Sequence, residues 1–485
     1  MRPAARRLRT RAALLGLAAC LTACSSVAPE PPQLPFTLPE GFAAESAAGG
    51  RAWTERWWQD FGDAQLDRFV DTALLGNPDL AQAIARTRIA QAQARLQRAD
   101  QLPQVGLGAG AARQRQNVAG MPGSPGAVPM IGTGYDASLD VSWELDLWGR
   151  LSALSASARA DYLASTRQLR AMRQSVAAQV VQMYFEIVHA RAQAELSART
   201  VQALAEMARQ VDNRVRAGIA SPADGMLANA NLQSARAGLE QRRETLARSL
   251  RQLQVLMGGY PSGSLRTAQA LPPVPPPPSA GIPAQLLARR PDVQAAELGL
   301  LAAGYRLGAA QRSFLPALTL SGSAGYSGSE LAELFSSGNL VWSIAGRLLQ
   351  PVFQGGRLTA QVHIAQGQRD EALYAYAQTA LNALAEVESA LAVDALLRER
   401  EAALDASAGA AEQAVHVSLN RYLQGIDPFL NVLESQQRAL DGRSAYLSAR
   451  HARLENRIAL HLALGGGFED EPPSLAAEPS SLSVP

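Results

Sequence analysis

The sequence predicts a mixed α and β protein that is internally duplicated, with very long coiled-coil helices and four β-strands. The first observation is a repeated turn, because Arg214-Val215-Arg216-Ala217-Gly218-Ile219 recurs 207 residues later as Arg421-Tyr422-Leu423-Gln424-Gly425-Ile426. The second is a run from Leu151 to Arg216 that contains neither Gly nor Pro. The third is period-two alternation of apolar and polar residues, which indicates strands. Each half therefore has the order helix, strand, strand, very long helix, turn, helix.

Both copies of the repeated turn have the sequence features of a helix, a tight reversal and a second helix. Gly218 and Gly425 stand where a helix ends with a left-handed residue. The chain then restarts with Ser221-Pro222 in the first copy and Asp427-Pro428 in the second, each a capping side chain followed by Pro at the first helical position. The matching register of the flanking sequence argues against two unrelated helical hairpins.

The N-terminal segment has the pattern of an export signal. Several Arg residues precede an apolar run from Ala12 to Ala19 that is too short to span a bilayer. It ends in Leu21-Thr22-Ala23-Cys24, which resembles a bacterial lipobox, and Leu17-Ala18-Ala19-Cys20 also fits. Because Cys24 allows the longer apolar core, we expect residues 1–23 to be a lipoprotein signal peptide and Cys24 to carry a covalent lipid. We expect no other cofactor.

An acylated tether rich in Pro, Ala and Gly, residues 24–50, leads to the first structural repeat, residues 51–270. After an initial helical region, this repeat is predicted to contain strands 103–116 and 133–147, a long helix 149–217 and a helix 222–257. In the long helix, apolar and small residues from Val180 to Val215 step by three and four, as in a coiled-coil seam.

A Pro-rich linker, residues 271–283, separates the two repeats, because its run of prolines cannot be helical. The second structural repeat spans residues 284–467 and is followed by a tail, 468–485, whose Glu, Pro and Ser content predicts disorder. After its first helix, the second repeat is predicted to contain strands 316–328 and 339–353, a long helix 357–424 and a helix 428–464.

Four strands of this length are too few to close a barrel within one chain, and open sheet edges are a liability. Further strands must come from elsewhere, and in a bilayer only a closed barrel satisfies every backbone group. The aromatic residues near the helix-side strand ends suit a membrane-interface girdle, and they are Trp143, Trp148, Trp342 and Phe353. The alternative is a water-soluble antiparallel sheet with one packed face, which has the same alternation.

Several motifs together resemble the TolC family of outer-membrane efflux channels, over roughly residues 50 to 467. They are the duplicated pattern, Leu286-Leu287-Ala288-Arg289-Arg290-Pro291-Asp292-Val293, Gly355-Gly356-Arg357-Leu358, Arg421-Tyr422 with Gly425, and Leu464-Gly465-Gly466-Gly467. The lipobox is similar to that of the lipoprotein branch, which includes NodT-like and OprM-like members. The resemblance implies a homotrimer whose helices form a periplasmic α-barrel and whose strands form one 12-stranded transmembrane β-barrel.

The resemblance also implies partners and a function. We expect an exit duct of a tripartite efflux system, located in the outer membrane of a Gram-negative bacterium and exporting drugs or other small molecules. The implied partners are outer-membrane lipid, a periplasmic adaptor protein and an inner-membrane pump of the resistance-nodulation-division class. Helices of about 100 Å, at about 1.5 Å per residue, would place both repeated turns at the far, periplasmic tip.

Two sets of tip residues follow from this resemblance. A Leu and a carboxylate one helical turn later line the family's periplasmic gate, and the matching positions are Leu430 and Glu434, where Glu replaces the usual Asp. Asp224 is the candidate in the first half, although a helix cap explains it equally well. The adaptor is expected to dock on the repeated tip positions, which are Arg214, Gly218, Arg421 and Gly425.

Other function classes have little support in the sequence. The chain has no Lys and shows no basic patch interleaved with aromatics, so neither nucleic-acid binding nor a Walker A loop is expected. An enzyme is not expected, because no Gly-x-Ser-x-Gly elbow occurs and the five histidines lack metal-ligand spacing, so no metal site is predicted. The remaining alternative is a lipid-anchored periplasmic coiled-coil adaptor or scaffold protein.

Overall fold

A computed structural model describes residues 34–44, 56–118 and 128–466 of the chain. The predicted signal peptide, the acylated Cys24, the larger part of the tether and the tail 468–485 lie outside these described residues. The chain divides into two compact units. The described part of the first unit is Leu34 with residues 88–118, 128–165 and 296–376, and that of the second is residues 35–44, 56–87, 166–295 and 377–466.

The helices of the described chain repeat in order, and three of the four pairs repeat in length. They are α1 Ala64–Gly76, α2 Pro78–Ala99, α3 Arg150–Arg216, α4 Pro222–Leu256, α5 Pro283–Arg289, α6 Pro291–Arg312, α7 Arg357–Leu423 and α8 Phe429–Ala463. Both α3 and α7 have 67 residues, both α4 and α8 have 35, and both α2 and α6 have 22. These equal lengths reflect the internal duplication. None of the described helices has the length and apolar character needed to cross a membrane.

Four strands form one antiparallel sheet in the order β1-β2-β3-β4 within the described residues. They are β1 Gln104–Val118, β2 Val128–Leu145, β3 Ala317–Gly328 and β4 Leu340–Leu349. The pair β2–β3 joins the two repeats, because β2 belongs to the first and β3 to the second. The compact units therefore cut across the sequence repeats, since each unit combines segments of both.

The register places most of the apolar residues of the four strands on one face. Val141 lies opposite Val105 on β1 and opposite Gly322 on β3, and Gly322 lies opposite Ile344 on β4. Directly opposed residues share a face, and residues two apart along a strand return to it. The same face carries Leu107, Leu139, Ala324 and Trp342, while Asp140, Ser323 and Ser343 line the other. Within the described residues this apolar face has no covering layer, since Leu107, Ile344 and Leu348 are largely exposed.

The strands differ from the predicted bounds in two places. β1 and β2 pair over a longer stretch, so β2 begins at Val128 instead of residue 133. β4 ends at Leu349 and does not continue to residue 353. Pro351 explains the early end, because proline has no N–H with which to continue the ladder. Phe353 therefore lies in the segment between β4 and α7.

The main core of the described chain lies in the second unit, around the middle of α3. The residues of α3 that step by three and four from Val180 to Val215 are all buried or half-buried, as a packed seam requires. Trp57 and Trp58, from a short 3-10 helix, pack into the same core. Arg457 of α8 is buried there and donates to Asp394 at 2.9 Å, which compensates its charge.

Candidate functional site

The two repeated turns have the same backbone structure. Gly218 and Gly425 have positive φ angles of 71° and 75°, which glycine adopts without steric cost. The N–H of Ile219 donates to the carbonyl of Arg214 at 2.8 Å, and the N–H of Ile426 donates to the carbonyl of Arg421 at 2.9 Å. These bonds satisfy carbonyls that the helix end would otherwise leave unpaired. Each long helix therefore ends in a Schellman motif.

An apolar cluster brings the two hairpins, α3–α4 and α7–α8, side by side. Its buried members come from all four helices and are Met207, Val211, Ala228, Tyr422, Phe429 and Val432. The rings of Tyr422 and Phe429 lie 5.2 Å apart between centroids. We call this cluster with the two turns the hairpin tip. The sequence analysis missed the packing role of Phe429, although an aromatic residue at the start of a helix was a visible signal.

Arg214 connects the first hairpin to the second. Its guanidinium carbon lies 5.2 Å from the centroid of the Tyr422 ring, a cation–π distance, and its Nη1 donates to the carbonyl oxygen of Leu423 at 3.1 Å. That carbonyl belongs to the last residue of α7, where the helix leaves carbonyls unpaired and where positive charge is stabilised. Arg214 therefore stabilises the end of α7 as well as the contact between hairpins.

The equivalent residue of the second copy, Arg421, forms a local ion pair instead. Its Nε and Nη2 donate to both carboxylate oxygens of Asp427, at 2.7 and 3.1 Å. The prediction that Asp427 caps the next helix is wrong, because Pro428 is the N-cap residue of α8 and no side chain caps it. The carboxylate is instead held at two points by Arg421, which also lowers the pKa of Asp427.

We expect Phe429→Ala to loosen the hairpin tip. Removing a buried aromatic side chain costs about 3–5 kcal/mol, and Phe429 is only 2% exposed. The measurement is hydrogen exchange by mass spectrometry on the peptides that contain the two turns, which should become less protected. Leu423→Ala is the control, since that side chain is 40% exposed in the same tip. Equal protection in both variants would contradict the assigned role of Phe429.

The predicted gate residues lie on the exposed face of α8. Leu430 is 55% exposed, whereas Phe429 and Val432 point into the hairpin tip. Glu434, one helical turn after Leu430, is also exposed, and its Oε2 lies 3.6 Å from Nη2 of Arg438. The stripe that could line a pore is therefore Leu430, Glu434 and Arg438, of which the sequence analysis named only the first two.

Asp224 occupies a different environment. It lies in the first turn of α4, is half-buried, and its N–H donates to the carbonyl of Ser221 at 3.0 Å. The hydroxyl of Ser221 accepts from Ala223, so Ser221 is the cap of this helix. Burial chiefly, and then the charge of Asp224, raise the pKa of the Tyr422 hydroxyl, so the carboxylate faces the hairpin tip. A gating role for Asp224 stays a prediction.

Among the four candidate interface aromatics, Trp143, Trp148 and Trp342 lie at different distances from the helix-side end of the sheet, and Phe353 follows β4. Trp143 lies opposite Leu320 near the helix-side end, and its Nε1 donates to the carbonyl of Gln101 at 2.9 Å. Trp148, just after β2, donates to the carbonyl of Pro316 at 2.7 Å. Trp342, however, lies opposite Ala324. This position is four residues, or about 13 Å, beyond Leu320 along β3 and away from the helix-side end. Its predicted place at the helix-side end is wrong, because β4 starts at Leu340, on the other side.

The five histidines were expected to lack metal-ligand spacing, but two of them come together in the fold. His189 of α3 and His451 of α8 stack with ring centroids 4.7 Å apart, and Glu186 lies beside both. The two histidines are far apart in the chain, and only the packing of α3 against α8 brings them together. A search for ligand spacing within one short segment could not find this pair.

Comparison with known proteins agrees with this architecture. The sequence model of the family described as "Outer membrane efflux protein" matches residues 69–259 and 282–466, one stretch in each repeat. The chain is 34% identical to outer membrane protein OprJ of Pseudomonas aeruginosa over 464 residues, covering 94% of this chain and 95% of OprJ. It is 30% identical to the probable efflux pump outer membrane protein SepC of Pseudomonas putida over 475 residues, covering 96% and 98% of the two chains.

A solved structure is similar over nearly the same length. The outer membrane channel CmeC of Campylobacter jejuni superposes with a TM-score of 0.81 at 25% identity, covering 91% of this chain and 94% of CmeC. The residues matched by the family model include the sheet, both long helices and the hairpin tip.

Proposed function

This chain belongs to the outer membrane efflux protein family, and we propose that three copies of it form the exit duct of a tripartite efflux system. The protein is an outer-membrane efflux channel, as the resemblance to the TolC family predicted. Its fold has the duplicated helices and the four antiparallel strands of that family. It exports drugs or other small molecules, which it receives from the periplasm or from the inner-membrane pump.

The observation that carries this proposal is the sheet register. Across four strands it aligns one apolar face and one polar face, and no part of the chain that the structure describes covers the apolar face. A water-soluble sheet would pack that face against another layer, whereas a membrane barrel turns it toward lipid. Trp143, Trp148 and Phe353 then mark one membrane interface, and Trp342 lies deeper in the apolar band.

Closure of the barrel requires copies of the same chain. Within the described chain, β1 and β4 are the outer strands of the sheet, so the outward edge of each has no strand partner there. In hydrocarbon each unpaired backbone group costs several kcal/mol. Edge-to-edge pairing of three protomers supplies twelve strands, and it covers both edges. Covalent lipid on Cys24 adds an anchor in the same membrane.

The hairpin tip is the surface that we assign to the periplasmic adaptor. Gly218 and Gly425 keep both turns tight, Arg214 joins the hairpins, and Arg421 presents a half-exposed guanidinium at the second turn. Helical hairpins of an adaptor would pack between these paired helices. The inner-membrane partner is a pump of the resistance-nodulation-division class.

We expect Arg421→Glu to abolish export. Reversing the charge removes the guanidinium and sets Glu beside Asp427, so both the local ion pair and the docking charge are lost. The measurement is the minimal inhibitory concentration of exported antibiotics in a strain that depends on this channel. Arg248→Glu is the matched control, because Arg248 is also exposed and paired, with Glu244 on α4.

A charge swap separates docking from local structure. In Arg421→Asp with Asp427→Arg the ion pair can re-form, but the positive charge has moved. If the adaptor contacts Arg421, export stays lost in the swapped variant. Restored export would limit Arg421 to a structural role, and unchanged export in Arg421→Glu would remove the docking assignment.

A further inference from the structure

Two histidines and two glutamates form a cluster between α3 and α8 in the second unit. His189 and His451 stack nearly in parallel, with 4.7 Å between ring centroids and 10° between ring planes. Glu186 precedes His189 by one turn of α3, and Glu455 follows His451 by one turn of α8. Glu186, His189 and His451 thus come together at one point, and Glu455 lies beside His451. The efflux function described above uses none of these groups.

The distances in this cluster are too long for hydrogen bonds. Nδ1 of His189 lies 3.7 Å from Oε2 of Glu186, and Nε2 of His451 lies 3.7 Å from the same oxygen and 3.4 Å from Oε1 of Glu455. Hydrogen bonds between such atoms span about 2.7–3.2 Å. Both nitrogen atoms are buried and neither has a hydrogen-bond partner. Buried polar atoms without partners are rare and require an explanation.

Metal coordination would give these atoms partners, once the two stacked rings turn so that the ion lies in the plane of each. The edge of a tetrahedron with metal–ligand bonds of 2.0–2.1 Å is about 3.3 Å, close to the observed spacing. Ligand atoms of Glu186, His189 and His451 all lie within 4.8 Å of one another. We propose that Glu186, His189 and His451 form a site for a divalent transition-metal ion, with zinc as the best fit to two imidazoles and one carboxylate and with water or the neighbouring Glu455 as the fourth ligand.

The protonation states suit a metal at neutral pH. Burial lowers the pKa of His451 to about 4, so its ring is neutral and its nitrogen lone pair is available. Contact with His189 lowers the pKa of Glu186, which keeps that carboxylate ionised. Burial, and then repulsion by Glu186, raise the pKa of Glu455. A divalent cation beside the two carboxylates would remove this repulsion.

The surroundings orient the ligands and leave a route for the ion. Nε2 of His189 lies 3.1 Å from the amide nitrogen of Gln193 and 3.4 Å from the hydroxyl of Ser448. With the metal on Nδ1 the ring proton is on Nε2, and the side-chain amide of Gln193 would turn so that its oxygen accepts that proton. The side chains of Glu186 and Glu455 are each 36% exposed, so solvent reaches the cluster. A bound ion would cross-link α3 to α8.

Metal binding to the purified trimer tests this proposal. The protein is prepared without a histidine tag, stripped with a chelator, and titrated with Zn²⁺ by calorimetry in detergent. We expect one ion per protomer. Cobalt(II) in the same site should give the intense visible absorption of a tetrahedral complex. The variants Glu186→Gln, His189→Gln and His451→Gln should each weaken binding at least tenfold, since loss of even an outer-shell partner costs about 10–100-fold.

The control is His363→Gln, which removes an exposed histidine of α7 far from the cluster in the sequence and should leave the affinity unchanged. Glu186→Gln preserves the shape of the side chain, so weaker binding in a variant that still runs as a trimer reports on coordination and not on folding. Absence of zinc binding by the wild-type trimer, or equal affinity in the three cluster variants and in the control, would overturn the proposal.

Discussion

Ala324→Arg should prevent most of the channel from assembling in the outer membrane. Ala324 lies on the apolar face of the sheet, between Leu139 on β2 and Trp342 on β4. An arginine that faces lipid near the bilayer midplane costs about 2–4 kcal/mol, and a trimer carries it three times. The measurement is the amount of heat-modifiable trimer in the outer-membrane fraction on unboiled gels.

The adjacent residue provides a matched control. Ser323 lies on the opposite face of the same strand, between Asp140 and Ser343, so an arginine there would face water and a carboxylate. Ser323→Arg adds the same side chain one position away on β3. We expect it to assemble like the wild-type protein and to change only conductance or selectivity. Equal loss of trimer in both variants would show that the two faces are not lipid and lumen.

Leu430→Ala combined with Glu434→Ala should open the channel. Both side chains lie on the exposed face of α8, one helical turn apart, next to the hairpin tip. If three copies converge there, the leucines form an apolar constriction and the glutamates a ring of charge. Truncation of both should raise single-channel conductance in planar bilayers several-fold and should reduce the preference for cations.

The exposed pair Leu396 and Glu399 on α7 supplies a control with the same two substitutions. Conductance in Leu396→Ala with Glu399→Ala should match the wild-type value. The Glu434 ring also differs from a bare ring of carboxylates, because Arg438 lies 3.6 Å from Glu434 on the same helix. Removing Arg438 alone should therefore strengthen cation selectivity. Unchanged conductance of the Leu430 and Glu434 double variant would remove these residues from the gate.

The sequence alone was sufficient for the local structure and the family. Some features depend only on near neighbours, so the chain encodes them within a few residues. They are Schellman glycines, prolines at helix starts, and periods of two or about 3.6 residues. The repeated turn at Gly218 and Gly425 revealed the duplication, and the strand alternation revealed one apolar face. Element ends were harder to place, as the early stop of β4 before Pro351 shows.

Only the tertiary structure decided which distant residues meet. The bond from Arg214 to the carbonyl of Leu423 and the level of Trp342 both depend on geometry that a linear pattern does not contain. The stacked pair His189 and His451 is the clearest case, because its members lie in different sequence repeats. Periodicity fixes which face of an element is buried, but packing between elements fixes the partner that it meets.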